Sequence, residues 1–115
     1  RVALKKAGLA DLALVVGETG WPTGGMERGA DRASACIFNN GLARRASMGG
    51  RGMHTPLGHA YPHAFLFEFT DEFRKSVDVA DLGASERHYG VLTEEGESKY
   101  DMAWQVASAD AGVGA

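Results

Sequence analysis

At 115 residues, 44% hydrophobic and 23% charged, the chain has an ordinary globular composition. A formal charge of −3 argues against a nucleic-acid role driven by bulk electrostatics, and no apolar run is long enough to cross a membrane. One cysteine, Cys36, excludes an internal disulfide and reads as a small buried hydrophobe.

Val2 to Gly8 reads as the end of a helix with Gly8 near its C-cap, so chain is expected to precede Arg1; no secretory signal is visible. Leu12-Ala13-Leu14-Val15-Val16 is a continuous apolar run without alternation, as in a strand buried on both faces of a parallel sheet. Gly17 and Gly20 bracket Glu18, and Pro22 stops regular structure, which predicts a carboxylate where the strand opens into a loop. In α/β folds that strand end faces the ligand. An ordinary solvated loop acid fits the spacing equally well, with Trp21 as a packing aromatic.

Thr23 to Gly29 is a glycine-rich connection, and Asp31 is the expected N-cap of a helix running to about Ala46. Ala33, Cys36, Ile37 and Asn40 form its apolar stripe, weakened by Gly41. Met48 to Gly58 is a glycine-rich loop, and Gly49-Gly50-Arg51-Gly52 lacks the lysine and hydroxyl of a phosphate loop. A second strand begins near Ala64, with Phe65, Phe67 and Phe69 alternating with Leu66, Glu68 and Thr70 until Asp71 and Glu72. Thr93 to Glu97 predicts a small hairpin before a short helix, and Ala107 to Ala115 a frayed end. The pattern is two βα-like units and a tail.

Other constellations are bland. His54, His59 and His63 with Asp71 could suggest a metal site, but Gly58, Pro62 and the nearby strand make loop histidines the better reading. Arg44, Arg45 and Arg51 read as a solvated helix end.

The string Val-Val-Gly-Glu-Thr-Gly-Trp-Pro-Thr at residues 15–23 resembles the signature of glycoside hydrolase family 17, the plant endo-β-1,3-glucanases and their mixed-linkage relatives. The likeness continues through Asn39 and Leu42, Thr55-Pro56, Phe65 to Lys75, Glu86 to Val91 and Tyr100, about residues 2 to 104 in the family's order. The fold it implies is α/β, the C-terminal part (last two βα units) of a (β/α)8 TIM barrel. A barrel of that type takes about 250 residues, so it is incomplete in this chain. Residues 1–106 would be that barrel segment and residues 107–115 a flexible tail.

The resemblance further implies retaining hydrolysis of β-1,3-glucosidic bonds, which needs two carboxyl groups about 5–5.5 Å apart. It makes Glu18 the nucleophile, with Glu72, Lys75 and Glu86 as an acidic and basic cluster beside it. Lys75 is the candidate cation for keeping Glu18 ionised. Without the motif, Glu72 and Lys75 are an ordinary i,i+3 ion pair and Glu86 a solvated loop charge. Trp21, Tyr89 and Phe69 are either core aromatics or platforms for a glucose ring. The implied partner is β-1,3-glucan or mixed-linkage glucan, with no cofactor, metal, nucleic acid or membrane. The complete protein would be a monomer, secreted to the wall or extracellular space or held in the vacuole.

The chain departs from the family in ways that bear on activity. The general acid belongs near the end of the fourth barrel strand, a segment with no match here. Phe73 stands in place of asparagine, and Glu68 in place of a small residue inside the strand, where an unpaired carboxylate is costly or protonated. Ser76 to Ser85 is longer than the family's spacing. A non-catalytic glucan-binding or degenerate fragment is therefore the alternative, and a truncated product without a stable fold a third.

Overall fold

The computed structural model describes residues 2–47, 63–75 and 82–103. The glycine-rich loop from Met48 to Gly58, Arg51, His54, His59, residues 76–81, the helix expected after the hairpin and the tail at 107–115 lie outside the described residues.

The first helix, α1 (Val2–Lys6), ends as its sequence requires. Gly8 takes φ +74°, the left-handed conformation that glycine adopts without a Cβ penalty. The Gly8 N–H donates to Lys5 O (3.1 Å) and the Leu9 N–H to Leu4 O (2.8 Å), which closes the end as a Schellman motif.

Strand β1 runs Val15–Thr19 and pairs in parallel with β2, His63–Leu66. The expected strand at residues 12–16 is therefore displaced, and Glu18 belongs to the strand rather than to the loop after it. The cause is pairing: the Phe67 N–H donates to Thr19 O at 2.8 Å, which carries the ladder past Glu18. Nor is the strand buried on both faces, since Leu12, Leu14 and Val15 are all exposed.

The register is Val15 opposite His63, Val16 opposite Ala64 and Thr19 opposite Leu66. Between the last two pairs β1 advances three residues and β2 two, so β1 carries an extra residue in the Gly17-Glu18 stretch. A bulge of this kind bends a strand and re-aims a side chain.

Between the strands lies α2, Arg32–Ser47, in the place the sequence predicts. Asp31 caps it: Oδ1 accepts the Ser34 N–H at 2.8 Å and Oδ2 the Ser34 hydroxyl at 3.0 Å. These two bonds, the backbone one first, hold the Asp31 carboxyl below its ordinary value.

Of the stripe expected on α2, Asn40 alone is fully buried. Ala35, Asn39, Asn40 and Ala43 are buried, whereas Ala33 and Ile37 face solvent and Cys36 is half-buried. Two asparagines turn the helix inward because loop backbones need their amides. Asn39 Oδ1 accepts the Trp21 N–H (3.1 Å), while its Nδ2 donates to the Tyr100 hydroxyl (2.6 Å) and to Trp21 O (3.4 Å). Asn40 Nδ2 donates to Asp101 O at 2.9 Å and to Cys36 Sγ at 3.3 Å. Arg44 and Arg45 are exposed and donate to carbonyls one turn back, as a helix end should.

Beyond β2 the chain turns beside residues 89–92. The Glu68 N–H donates to Tyr89 O (3.2 Å), Val91 N–H to Glu68 O (3.1 Å), Leu92 N–H to Phe69 O (3.0 Å) and Asp71 N–H to Leu92 O (3.1 Å). The peptide between Phe67 and Glu68 is cis. Gly90 lies so close to Thr70 and Asp71 that a Cβ there would overlap their backbone atoms. The expected hairpin forms, with Leu92 bridged to Ser98 and Thr93 N–H donating to Glu97 O at 2.8 Å. Ahead of this hairpin the chain forms a short 3-10 helix, Leu82–Arg87.

The described interior is largely polar. Ala35, Ala43 and Val91 are its buried apolar residues, whereas Asn39, Asn40, Asp71, Ser85 and Lys99 are buried polar ones. Apolar side chains on β1, β2 and α2, among them Val15, Phe65 and Ile37, are exposed.

Candidate active site

The β1 bulge presents Glu18, an exposed side chain, to a cleft of about 290 Å³ that it shares with Thr19, Gly20, Phe67, Glu86 and Tyr89. Gly20 is required there, because a Cβ would overlap the Phe67 carbonyl oxygen. Glu86 comes from the end of the 3-10 helix. Tyr89 follows shortly after that helix and meets Phe67 edge-on, ring centroids 5.4 Å apart.

Glu72, Lys75 and Glu86 form a cluster behind this cleft. Lys75 Nζ is 3.2 Å from Glu86 Oε2 and 3.6 Å from Glu72 Oε2, and stands 4.8 Å from the centroid of the Phe67 ring. Backbone contacts hold the lysine: its N–H donates to Glu72 O (2.9 Å), and its carbonyl accepts the Arg87 Nε–H (3.0 Å). Burial pulls the Lys75 ammonium toward neutrality, but the hydrogen bond to Glu86 and the charges of Glu68, Glu86 and Glu72 outweigh it and leave its pKa raised. These ion pairs are partly exposed, so they add little to stability and act chiefly by fixing charge. Among the described residues Lys75 pairs with Glu72 and Glu86, not with Glu18. Its link to Glu18 runs through Glu86 and Phe67.

Glu68 adds a carboxyl that the cluster does not neutralise. Its Oε1 is buried and has no hydrogen-bond partner among the described residues. Burial, then the neighbouring Glu72 carboxylate, push its pKa up to about 7, with Lys75 pulling in the opposite sense. Below about pH 7 the expected cost of a carboxylate at this position is thus met by holding the proton.

Trp21 lines an adjoining cleft of about 350 Å³ with Pro22, Glu27, Ser85, Glu86 and Tyr89. Its indole N–H donates to Gly29 O at 2.7 Å, and its ring lies 5.3 Å from that of Phe38. Gly20, Glu86 and Tyr89 line both clefts, so the two adjoin. Burial, followed by the charges of Glu86 and Glu27, raises the Tyr89 phenol.

Phe69 is not brought to this site. It is exposed and lines a different groove with Val91, Leu92, Ser98, Asp101 and Met102. Phe67 occupies the cleft instead, because β2 ends at Leu66 and strict alternation does not continue through Phe69. Phe73, at the position where the resemblance expects asparagine, meets His88 edge-on at 5.5 Å.

Sequence reasoning also missed what holds the cluster in place. The Asp71–Lys99 pair is buried at 2.6 Å, and Asp71 Oδ1 also accepts the Gly90 N–H at 2.9 Å. Neither partner's sequence context marked it; the only signal was a lysine at the end of the hairpin. Among the described residues no group of three or more His, Cys, Asp or Glu could hold a metal ion, and His63 is exposed at the start of β2. No described helix is long and apolar enough to cross a membrane.

With this geometry in place, comparison with known proteins is decisive on ancestry. The model of the glycosyl hydrolases family 17 matches residues 1–104. The chain belongs to that family. Over 100 residues it is 39% identical to glucan endo-1,3-beta-glucosidase 8 of Arabidopsis thaliana, a match covering 87% of this chain and 19% of that protein. The chain thus spans about a fifth of the length of this curated relative.

Among solved structures, one from a study of two plant beta-glucan endohydrolases with distinct substrate specificities superposes with a TM-score of 0.68 at 27% identity. That alignment covers 86% of this chain and 28% of the other. CJP38, a beta-1,3-glucanase and allergen of Cryptomeria japonica pollen, superposes with a TM-score of 0.74 over 90% of this chain and 30% of its own; at 22% identity it speaks to fold alone. The family 17 chain described here therefore has an α/β fold that corresponds to part of a β-glucan endohydrolase.

Proposed function

We propose that residues 1–106 are the last two βα units of a (β/α)8 barrel and supply the nucleophile for retaining hydrolysis of β-1,3-glucosidic bonds. The observation that carries the reading is the placement of Glu18: a strand-end bulge opens it into one cleft with Glu86 and Tyr89, and Glu86 is held by Lys75 at 3.2 Å.

In the proposed reaction the Glu18 carboxylate attacks the anomeric carbon of a glucosyl unit. The bond from that carbon to the leaving oxygen breaks, and the oxygen takes a proton from an acid that no residue of this chain matches. Water, giving its proton to the same group, then cleaves the glucosyl–Glu18 ester and restores the starting configuration. Lys75 holds Glu86 and Glu72 in fixed positions beside the cleft, and Tyr89 and Trp21 offer aromatic faces to sugar rings. The substrate is β-1,3-glucan or mixed-linkage glucan, and the protein acts in the wall, the extracellular space or the vacuole.

The test is Glu18→Gln in the native polypeptide. Hydrolysis of β-1,3-glucan should be lost while glucan binding persists; turnover at the parental rate would overturn the assignment.

One observation favours a non-catalytic glucan-binding role for this chain by itself. Glu86, which lines the cleft with Glu18, is committed to Lys75, and no further carboxyl lines that cleft among the described residues. Retention on insoluble β-1,3-glucan without release of reducing ends would select this second reading.

A further inference from the structure

We infer that Ser85 and Glu27 form a subsite that binds the hydroxyl groups of a glucosyl unit beside the Glu18 cleft. This inference rests on the proposed β-glucan substrate.

Ser85 is 3% exposed, yet its Oγ has no hydrogen-bond partner among the described residues. Glu27 Oε2, on the connection before α2, is likewise shielded from solvent and unpartnered. The two atoms converge. A Cβ on Gly25 would overlap Ser85 Oγ and lie 2.7 Å from Glu27 Oε2, so both atoms pack against the same glycine, where any side chain would displace them.

An unmet buried polar group is costly, and a bound partner would relieve that cost. Both atoms belong to residues lining the 350 Å³ cleft that adjoins the Glu18 cleft, a volume at the lower end for small-molecule pockets.

The chemistry of the lining narrows the ligand. A carboxylate oxygen only accepts, whereas a serine hydroxyl both donates and accepts, so the pair matches a group carrying neighbouring hydroxyls. Trp21, Pro22 and Tyr89 supply apolar and aromatic walls for C–H faces, and the Trp21 indole is fixed by its bond to Gly29 O. Glu27 and Glu86 outnumber Arg28 in the lining, which disfavours an anion. A neutral, hydroxyl-rich ring satisfies all of these conditions. Because Gly20, Glu86 and Tyr89 line both clefts, a glucan chain passing Glu18 would reach this ring position next.

The experiment is calorimetric titration of β-1,3-linked gluco-oligosaccharides into the native polypeptide carrying Glu18→Gln, which leaves the ligand intact. Adding Ser85→Ala should weaken binding about tenfold, equivalent to about 1.4 kcal/mol. The melting temperature should stay level or rise, since an unmet hydroxyl has been removed. Adding Glu27→Ala instead should weaken binding to a similar degree. If the parent binds and both variants bind equally well, the two atoms serve an ordered water and the subsite is overturned while the glucan reading stands. Unchanged affinity with a lowered melting temperature would assign Ser85 a structural role only, with the same consequence. If the parent binds no β-1,3-gluco-oligosaccharide, the glucan reading itself fails.

Discussion

Lys99 Nζ lies 2.6 Å from Asp71 Oδ1, with both side chains almost wholly out of solvent. The same carboxylate oxygen accepts the Gly90 N–H, and the ammonium also donates to His88 O at 3.2 Å. One ion pair thus ties the chain after β2 to the chain after the 3-10 helix. That tie sets Glu72 and Lys75 against Glu86.

Removing one partner of a buried pair leaves the other charge without compensation, at a cost of about 3–5 kcal/mol. Lys99→Met should therefore destabilise the protein strongly, and the double variant Lys99→Met/Asp71→Asn should recover much of the loss, since asparagine still accepts from Gly90. Urea midpoints of the singles and the double measure this. Additive losses would show that the two residues act independently.

Asn39 is fully buried and serves Trp21 and Tyr100 together. Asn39→Ala should cost about 1–3 kcal/mol for each group it leaves unmet. The Trp21 amide should lose protection in hydrogen exchange well before amides of α2 do. Unchanged protection would mean that the Trp21 loop is held by Trp21 Nε1 and Phe38 alone.

Glu68 makes stability depend on pH in a stated direction. Its folded pKa, about 7, is above the ordinary value of 4.5, so between these values the folded state holds a proton that the unfolded state has lost. Its contribution is complete below pH 4.5 and falls away as pH rises through 7. Glu68→Gln should flatten the stability profile across that window and make the protein more stable than the parent above it. A parallel pair of profiles would show that Glu68 titrates normally.

On the proposed reading, Lys75→Met in the native polypeptide should lower hydrolysis of β-1,3-glucan by about tenfold or more, about 1.4 kcal/mol in the barrier, with little change in the thermal midpoint. The partly exposed ion pairs predict the second half of that outcome. A large drop in melting temperature with parental turnover would make the lysine a structural residue.

The residues that announced themselves in the sequence did so through local chemistry. Asp31 was readable as a cap because its partner, the Ser34 N–H, lies within the same turn. Gly8 was readable as a helix end for the same reason. The face of α2 was so only in part: Asn40 falls in the expected stripe, but Asn39 looks solvent-seeking until Trp21 and Tyr100 arrive from elsewhere in the chain to use it. Phe69 was singled out with Trp21 and Tyr89 as a core aromatic or sugar platform, whereas β2 stops at Leu66 and Phe67, not Phe69, lines the Glu18 cleft.

What the sequence by itself determined is the family, the order of the strand, helix and strand, the Asp31 cap and the presence of a strand-end glutamate in a glycine-bracketed motif. Those follow from contiguous residues and short-range backbone preference. Only the tertiary structure decided that pairing with β2 carries β1 past Glu18, that a bulge turns it to Glu86 and Tyr89, and that Lys99 and Asp71 hold the cluster together. Such facts depend on contacts between segments far apart in the chain, where burial and unmet hydrogen-bonding groups, not local propensity, set the energy.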